Sequence, residues 1–312
     1  MWQLVSGAYL GWALGANDAS NVFGTAVASR MLRFWTAALL CCVFLFLGAV
    51  LGGAAGMHTY SSLSKTTLNT AFITGLVAAL TVTVMTWRQL PVSTSQAVVG
   101  ALIAVGLFHG KLELGVLSKV VACWVGTPIG AMAFAVFFYL VVGRLFNVLN
   151  LSVFQYDFVV RWCLVLAGSY GAYALGANNV ANVTGAFVGP GMLTPRMACI
   201  LGGLSICLGV ITFSRGVMMT VGRGLVKLDA FSAFIVILAE AVTVHIYAVV
   251  GVPVSTSQAV VGGVLGIGVV KGVRTVNRRV LTNIVLAWLA TPVIAFVLAY
   301  GACYLGRAVG WL

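Results

Sequence analysis

The chain has 312 residues, 62% of them hydrophobic and only 7% charged, where a soluble domain carries about one quarter charged residues. Apolar runs of about 20 residues recur along its length, enough to cross a bilayer core of roughly 30 Å, and no polar stretch is long enough to fold alone, so a soluble enzyme or binding module is excluded. The formal charge of +12 does not point to nucleic acid, because surplus Lys and Arg in a polytopic membrane protein belong to cytoplasmic loops.

The first apolar segment, near 2–29, is interrupted by Gly15-Ala16-Asn17-Asp18-Ala19-Ser20-Asn21. Its start lacks a basic region and a small-residue cleavage site, so a removed signal peptide is not expected. Gly and Asn tolerate irregular backbone, and residues 17 and 21 share one face of a helix. Asn17, Asp18 and Asn21 offer oxygen ligands, which suit a hard cation such as Na⁺; the carboxylate also suits H⁺. An ionisable group inside a span is a functional candidate in its own right.

Segments near 34–56 and 67–87 follow. The next, 91–109, opens with Pro91-Val92-Ser93-Thr94-Ser95-Gln96. Proline fits a first helical turn, and small hydroxyl residues and an amide precede the apolar run. This reads as a helix or half-helix starting at membrane depth. Its free N–H groups and positive dipole end can hold an anion, with the hydroxyls as further donors. An ordinary cap at the membrane surface is the alternative. A segment near 118–142 closes the first half. The stretch 143–159, with Arg144, Asn147, Asn150 and Asp157, is expected to link halves 1–142 and 160–312.

The second half repeats the first, with segments near 160–189, 197–214, 230–250, 253–270 and 280–305. Gly176-Ala177-Asn178-Asn179-Val180-Ala181-Asn182 returns the first motif at an offset of 161, with Asn178, Asn179 and Asn182 but no acid. Pro253 to Gly262 repeats Pro91 to Gly100 at all ten positions and brings Ser255, Thr256, Ser257 and Gln258. A cap needs only one or two of those side chains, so identity between halves that otherwise differ favours binding. Interhelical hydrogen bonding explains one membrane Asn well, but five with an Asp poorly. Thr127-Pro128 and Thr291-Pro292 mark the last segment of each half.

Glu240 is the other acid inside an apolar run, and its repeat counterpart is Ala78. It can bind a cation or proton, or pair with His245 or Thr243. Glu113, Asp157 and Asp229 fall in loops with basic residues and are expected to be solvated. The seven cysteines form no Cys-x-x-Cys pair, so neither a metal site nor a disulfide framework is expected. Ser93 or Ser255 as a nucleophile would need a base; His58, His109 and His245 lie away from the motif, so no enzyme is expected. No Lys or Arg falls within the doubled motifs. An oxyanion there must be neutralised by helix starts, hydroxyl and amide donors, and co-bound cations, the physical basis of cation-coupled symport.

The basic residues bear on topology. Five crossings per half put twelve on one side: Arg30, Arg33, Arg88, Arg144, Arg161, Arg215, Arg223, Lys227, Lys271, Arg274, Arg278 and Arg279. The other side receives five: Lys65, Lys111, Lys119, Arg196 and Arg307. Four crossings per half would split them 10 to 7. The positive-inside rule favours five, an odd number that inverts the second copy. The expected fold is therefore an all-α polytopic membrane protein of two inverted repeats, with broken or hairpin helices at the midplane. The twelve-charge side is then cytoplasmic and both termini lie outside the cell membrane.

At these residues the chain resembles the inorganic phosphate transporter family. Gly15 to Thr25 and Gly176 to Asn182 are similar to its signature, and Pro-Val-Ser-Thr-Ser-Gln at 91–96 and 253–258 to its paired hairpin motif. The resemblance covers nearly the whole chain. It implies phosphate uptake coupled to Na⁺ or H⁺, a transport core with a scaffold, and commonly a homodimer, with no covalent cofactor. Phosphate would be held by Ser93, Thr94, Ser95 and Gln96 with Ser255, Thr256, Ser257 and Gln258. Cations would sit at Asn17, Asp18 and Asn21 with Asn178, Asn179 and Asn182. Two departures stand out. Many members carry Asp where this chain has Asn179, and a Thr-His pair where it has Ser95-Gln96 and Ser257-Gln258. The second removes a titratable group and leans towards Na⁺. Another tetrahedral oxyanion such as sulfate fits the same pattern.

Overall fold

The computed structural model describes residues 2–87, 92–224, 228–272 and 278–312. Among these residues there are eleven helices and no named strand: α1 (Leu4–Ala28), α2 (Phe34–Gly52), α3 (Ala54–Leu63), α4 (Leu68–Trp87), α5 (Thr94–Phe108), α6 (Leu114–Val148), α7 (Val153–Val188), α8 (Pro195–Gly224), α9 (Ala230–Val250), α10 (Thr256–Lys271) and α11 (Arg278–Ala308). Seven are long and apolar enough to cross a membrane. The chain is a multi-pass membrane protein.

Local chemistry sets the breaks. The Ser93 and Ser255 hydroxyls accept the Gln96 and Gln258 backbone N–H groups, capping α5 and α10. Gly251 takes a left-handed conformation (φ 78°) that ends α9, and Val252-Pro253-Val254 separates it from α10. Pro91, the matching residue of the first copy, lies outside the described residues. At 15 and 16 residues, α5 and α10 are roughly 23 Å long, short of a full bilayer core.

Two expectations change. The stretch 143–159 is mostly helical: α6 runs to Val148, and α7 starts at Val153 behind a capping box of Ser152 and Gln155. Helices of 35 and 36 residues are roughly 53 Å long, so their polar ends extend past the hydrocarbon. The segment expected at 34–56 instead divides at the Gly52-Gly53 pair, and α3 continues to Leu63.

The packing is two-fold in pattern. α1 lies along α8 and α2 along α7, while α5 lies along α11 and α10 along α6. In each case the exchange of repeat counterparts turns one pair into the other. The closest approaches to a neighbouring helix backbone fall on matched glycines. A Cβ on Gly15 would stand 1.9 Å from the Ile206 carbonyl oxygen, and one on Gly176 1.9 Å from that of Leu45. Gly100 and Gly262 press likewise on the Pro292 and Pro128 carbonyls, at 2.3 and 2.2 Å. With lipid as apolar as any side chain, such close backbone approach is a principal source of helix association.

α1 and α7, which carry the two signature copies, run antiparallel. Gly7 meets Phe187, Phe23 meets Gly168, and past the end of α1 the Arg161 Nε donates to the Met31 carbonyl at 2.8 Å. Their crossing buries Asp18 and the whole of the second motif.

Candidate functional site

Asp18 is the hub. It is 2% exposed, and its oxygens accept three side-chain donors. Asn17 Nδ2 donates to Oδ1 at 2.9 Å; Asn179 Nδ2 and Thr256 Oγ1 donate to Oδ2 at 2.9 and 3.2 Å. Asn21 Nδ2 donates to the Thr256 hydroxyl at 3.3 Å. One carboxylate thus ties α1, α7 and the start of α10 together. Asn17 and Asn21 are half-buried, whereas Asn178, Asn179 and Asn182 are fully buried.

The asparagines of α7 extend the network. Asn178 Nδ2 donates to Asn179 Oδ1 at 2.5 Å and to the Val254 carbonyl at 2.8 Å, while Asn178 Oδ1 accepts the Val254 N–H at 3.0 Å. The side chain therefore stands in for a backbone partner and orders the extended segment before α10. Asn182 Nδ2 donates to Asn179 Oδ1 at 3.2 Å, and its own Oδ1 accepts the Tyr60 hydroxyl.

The two serine-rich helix starts meet. Ser257 Oγ donates to the Val92 carbonyl at 2.9 Å, beside Ser93, and Ser93 and Ser95 share a hydrogen bond at 3.2 Å. Ser93, Thr94, Ser95, Gln96, Ser255, Thr256, Ser257 and Gln258 are all buried. Within the first turn of each helix, the Gln96 and Gln258 Oε1 atoms have no hydrogen-bond partner, nor does Thr94 Oγ1. By helix geometry the N–H groups of Thr94, Ser95, Thr256 and Ser257 have no carbonyl one turn back. The place offers backbone and hydroxyl donors, two amides, and one carboxylate alongside.

Glu240 stands apart from this network. It is 1% exposed, its Oε2 has no partner, and it lies over Gly171, where a Cβ would be 3.6 Å from that oxygen. Neither suggested partner reaches it: Thr243 Oγ1 donates to the Ala239 carbonyl, and His245 Nδ1 bonds the Tyr170 hydroxyl at 2.8 Å. The repeat counterparts of Gly171 and Glu240 are Leu10 and Ala78, both buried. Where the second half pairs a small residue with a carboxylate, the first pairs a large apolar residue with a methyl group.

Sequence reading missed α3. Its Tyr60 hydroxyl donates to Asn182, its Thr59 hydroxyl to the Gly251 carbonyl at the break before α10, and the nearby Thr66 hydroxyl to the Ala186 carbonyl at 3.0 Å. The dense hydroxyls between residues 59 and 67 were the signal that could have found it. Among the described residues no three His, Cys, Asp or Glu side chains gather as a metal site. Any cation held here would have hydroxyl, amide, carbonyl and single-carboxylate oxygens as ligands.

The sequence profile of the phosphate transporter family matches residues 14–299. A proposed phosphate permease of Methanocaldococcus jannaschii is 32% identical, over 96% of this chain and 95% of that protein. The sulfate permease CysP of Bacillus subtilis is 29% identical, over 92% of this chain and 82% of its own length. Among solved structures, one described as the sodium-dependent phosphate transporter superposes with a TM-score of 0.87 at 24% identity, covering 99% of this chain and 100% of that one. At that identity the likeness speaks for the fold.

Proposed function

The chain belongs to the phosphate transporter family, and from that premise we propose that it imports inorganic phosphate by secondary active transport coupled to a cation, Na⁺ rather than H⁺. It is a transporter and not an enzyme. The observation that carries the reading is the Thr256 hydroxyl on the Asp18 carboxylate, which joins an anion-suited helix start to a cation-suited signature. In this reading Ser93, Thr94, Ser95, Gln96, Ser255, Thr256, Ser257 and Gln258 hold the anion. Asp18 with Asn17, Asn21, Asn178, Asn179 and Asn182 holds the cation, and Glu240 is a second, weaker cation candidate. A cation beside Asp18 offsets the repulsion between that carboxylate and the anion, so each ligand favours the other, as coupling requires.

The fold is read as two inverted repeats, 1–142 and 160–312. The antiparallel crossing of α1 and α7 and the matched packing pairs support this. The basic end, with Arg161 and Arg215, is read as cytoplasmic and the termini as outside a cell membrane, by the positive-inside rule. A homodimer is proposed from the family resemblance alone. Sodium coupling draws support from the fold shared with a transporter described as sodium-dependent, and from glutamine in place of a titratable histidine in both hairpin motifs.

Sulfate is the rival substrate, because the Bacillus subtilis relative is named for it. Proteoliposomes tested under imposed Na⁺ or H⁺ gradients, with sulfate as competitor, decide both points. Labelled phosphate should accumulate with an inward Na⁺ gradient and resist excess sulfate. Accumulation driven equally by a proton gradient alone would remove the sodium assignment, and sulfate uptake in preference to phosphate would remove the phosphate one.

A further inference from the structure

Gln96 and Gln258 occupy the third position of α5 and α10, at 5% and 4% exposure. Each amide carries an oxygen with no donor, and the two are repeat counterparts at the meeting point of the helix starts. A buried carbonyl left without a donor is costly. A group that completes it must bring a hydrogen or a positive charge. The positive dipole ends and free N–H groups of two helix starts disfavour a cation there, which leaves a ligand that is an anion and also a hydrogen donor.

We propose that Gln96 and Gln258 are specificity-determining residues that select a proton-bearing tetrahedral oxyanion, accepting its O–H groups on their carbonyl oxygens, and thereby exclude sulfate. The inference rests on the reading that the two helix starts hold the substrate. Near neutral pH inorganic phosphate keeps at least one proton, and arsenate resembles it, whereas sulfate and selenate keep none. All four have the same shape, so hydroxyl and backbone donors treat them much alike. Only an acceptor separates them. A site built to bond a substrate hydroxyl rejects the analogue that lacks it, because the acceptor stays unpaired. Thr94 is the internal contrast: its unpartnered hydroxyl can donate to either anion and should add affinity without discrimination.

Equilibrium binding of radiolabelled phosphate to the purified full-length protein in lipid nanodiscs, at fixed Na⁺, tests this. Unlabelled arsenate should compete comparably with phosphate, and sulfate and selenate at least about 10-fold more weakly for each carbonyl engaged. Gln96→Met and Gln258→Met should each narrow the phosphate-to-sulfate ratio. Thr94→Val should weaken both anions together. If phosphate binds and sulfate matches it in the unaltered protein, the selection is wrong while the transport reading stands. If no oxyanion binds, both fall. If the Met variants keep the ratio and instead raise the Na⁺ concentration needed for binding, the carbonyls serve the cation and the inference is overturned. The unaltered protein alone carries a decisive arm, so a variant that fails to fold does not leave the matter open.

Discussion

Asp18 and Asn179 are repeat partners that touch, one carboxylate accepting from one amide at 2.9 Å. The unequal pair fixes the charge of the site at one acid where a symmetric pair would give two. Asn179→Asp would set two carboxylates against each other in a buried position, and one must then take a proton or a cation. The Na⁺ or proton concentration for half-maximal uptake by this variant should shift by about 10-fold, the size of about 1.4 kcal/mol of interaction. Titrating Na⁺ and pH in proteoliposomes checks it, and curves that overlay those of the unaltered protein would mean that the site does not hold the cation. Most of these residues were legible beforehand, because doubled polar residues in apolar runs have few structural reasons to exist. The backbone carbonyls of Val92 and Val254 were not, since a valine's oxygen is exposed by a helix break and not by its side chain.

At the scale of elements, apolar runs located nearly every helix, because spanning a bilayer demands a length and composition that little else does. They failed at α3 and at 143–159. α3 meets its hydroxyls with tertiary partners on α7 and beyond α9, and no periodicity within residues 57–63 announces them. The ends of α6 and α7 are polar because they leave the hydrocarbon, a pattern that imitates a linker. The matched glycines give a sharper handle on element packing. Gly176→Ala would drive a methyl into the Leu45 carbonyl and part α2 from α7, at a cost of about 1–3 kcal/mol. Gly301→Ala, on α11 with nothing within 4 Å, should be neutral or slightly stabilising. Thermal unfolding in detergent should fall by several degrees for the first and not for the second; equal melting would mean that the close approach is not structural.

The whole molecule has two unlike ends. Met31, Arg161, Phe34 and Arg215 gather at one, where the Arg215 guanidinium lies 5.9 Å from the Phe34 ring. The same end holds the ion pair of Lys271 with Asp229. Partial burial lifts the Asp229 carboxyl, but Lys271 and Ser232 outweigh it and hold the group below the usual carboxylate range. The small stability this adds is therefore present above that range and fades as acid protonates Asp229. The proposed orientation rests on the same charge bias. In a variant stripped of native cysteines, Leu149→Cys should react with impermeant reagents only from the cytoplasm and Arg196→Cys only from outside. Labelling of both from one side would end the inverted reading, since α7 could not then cross.

A clasp joins the first half of the chain to the second. α3 holds α7 and the break before α10 through Tyr60 and Thr59. A conformation that parts α3 from these partners must give up both hydrogen bonds, and its population falls about fivefold for each kcal/mol this costs. The break before α10 is thus held by contacts that no ligand supplies, and a ligand that opens it must outweigh them.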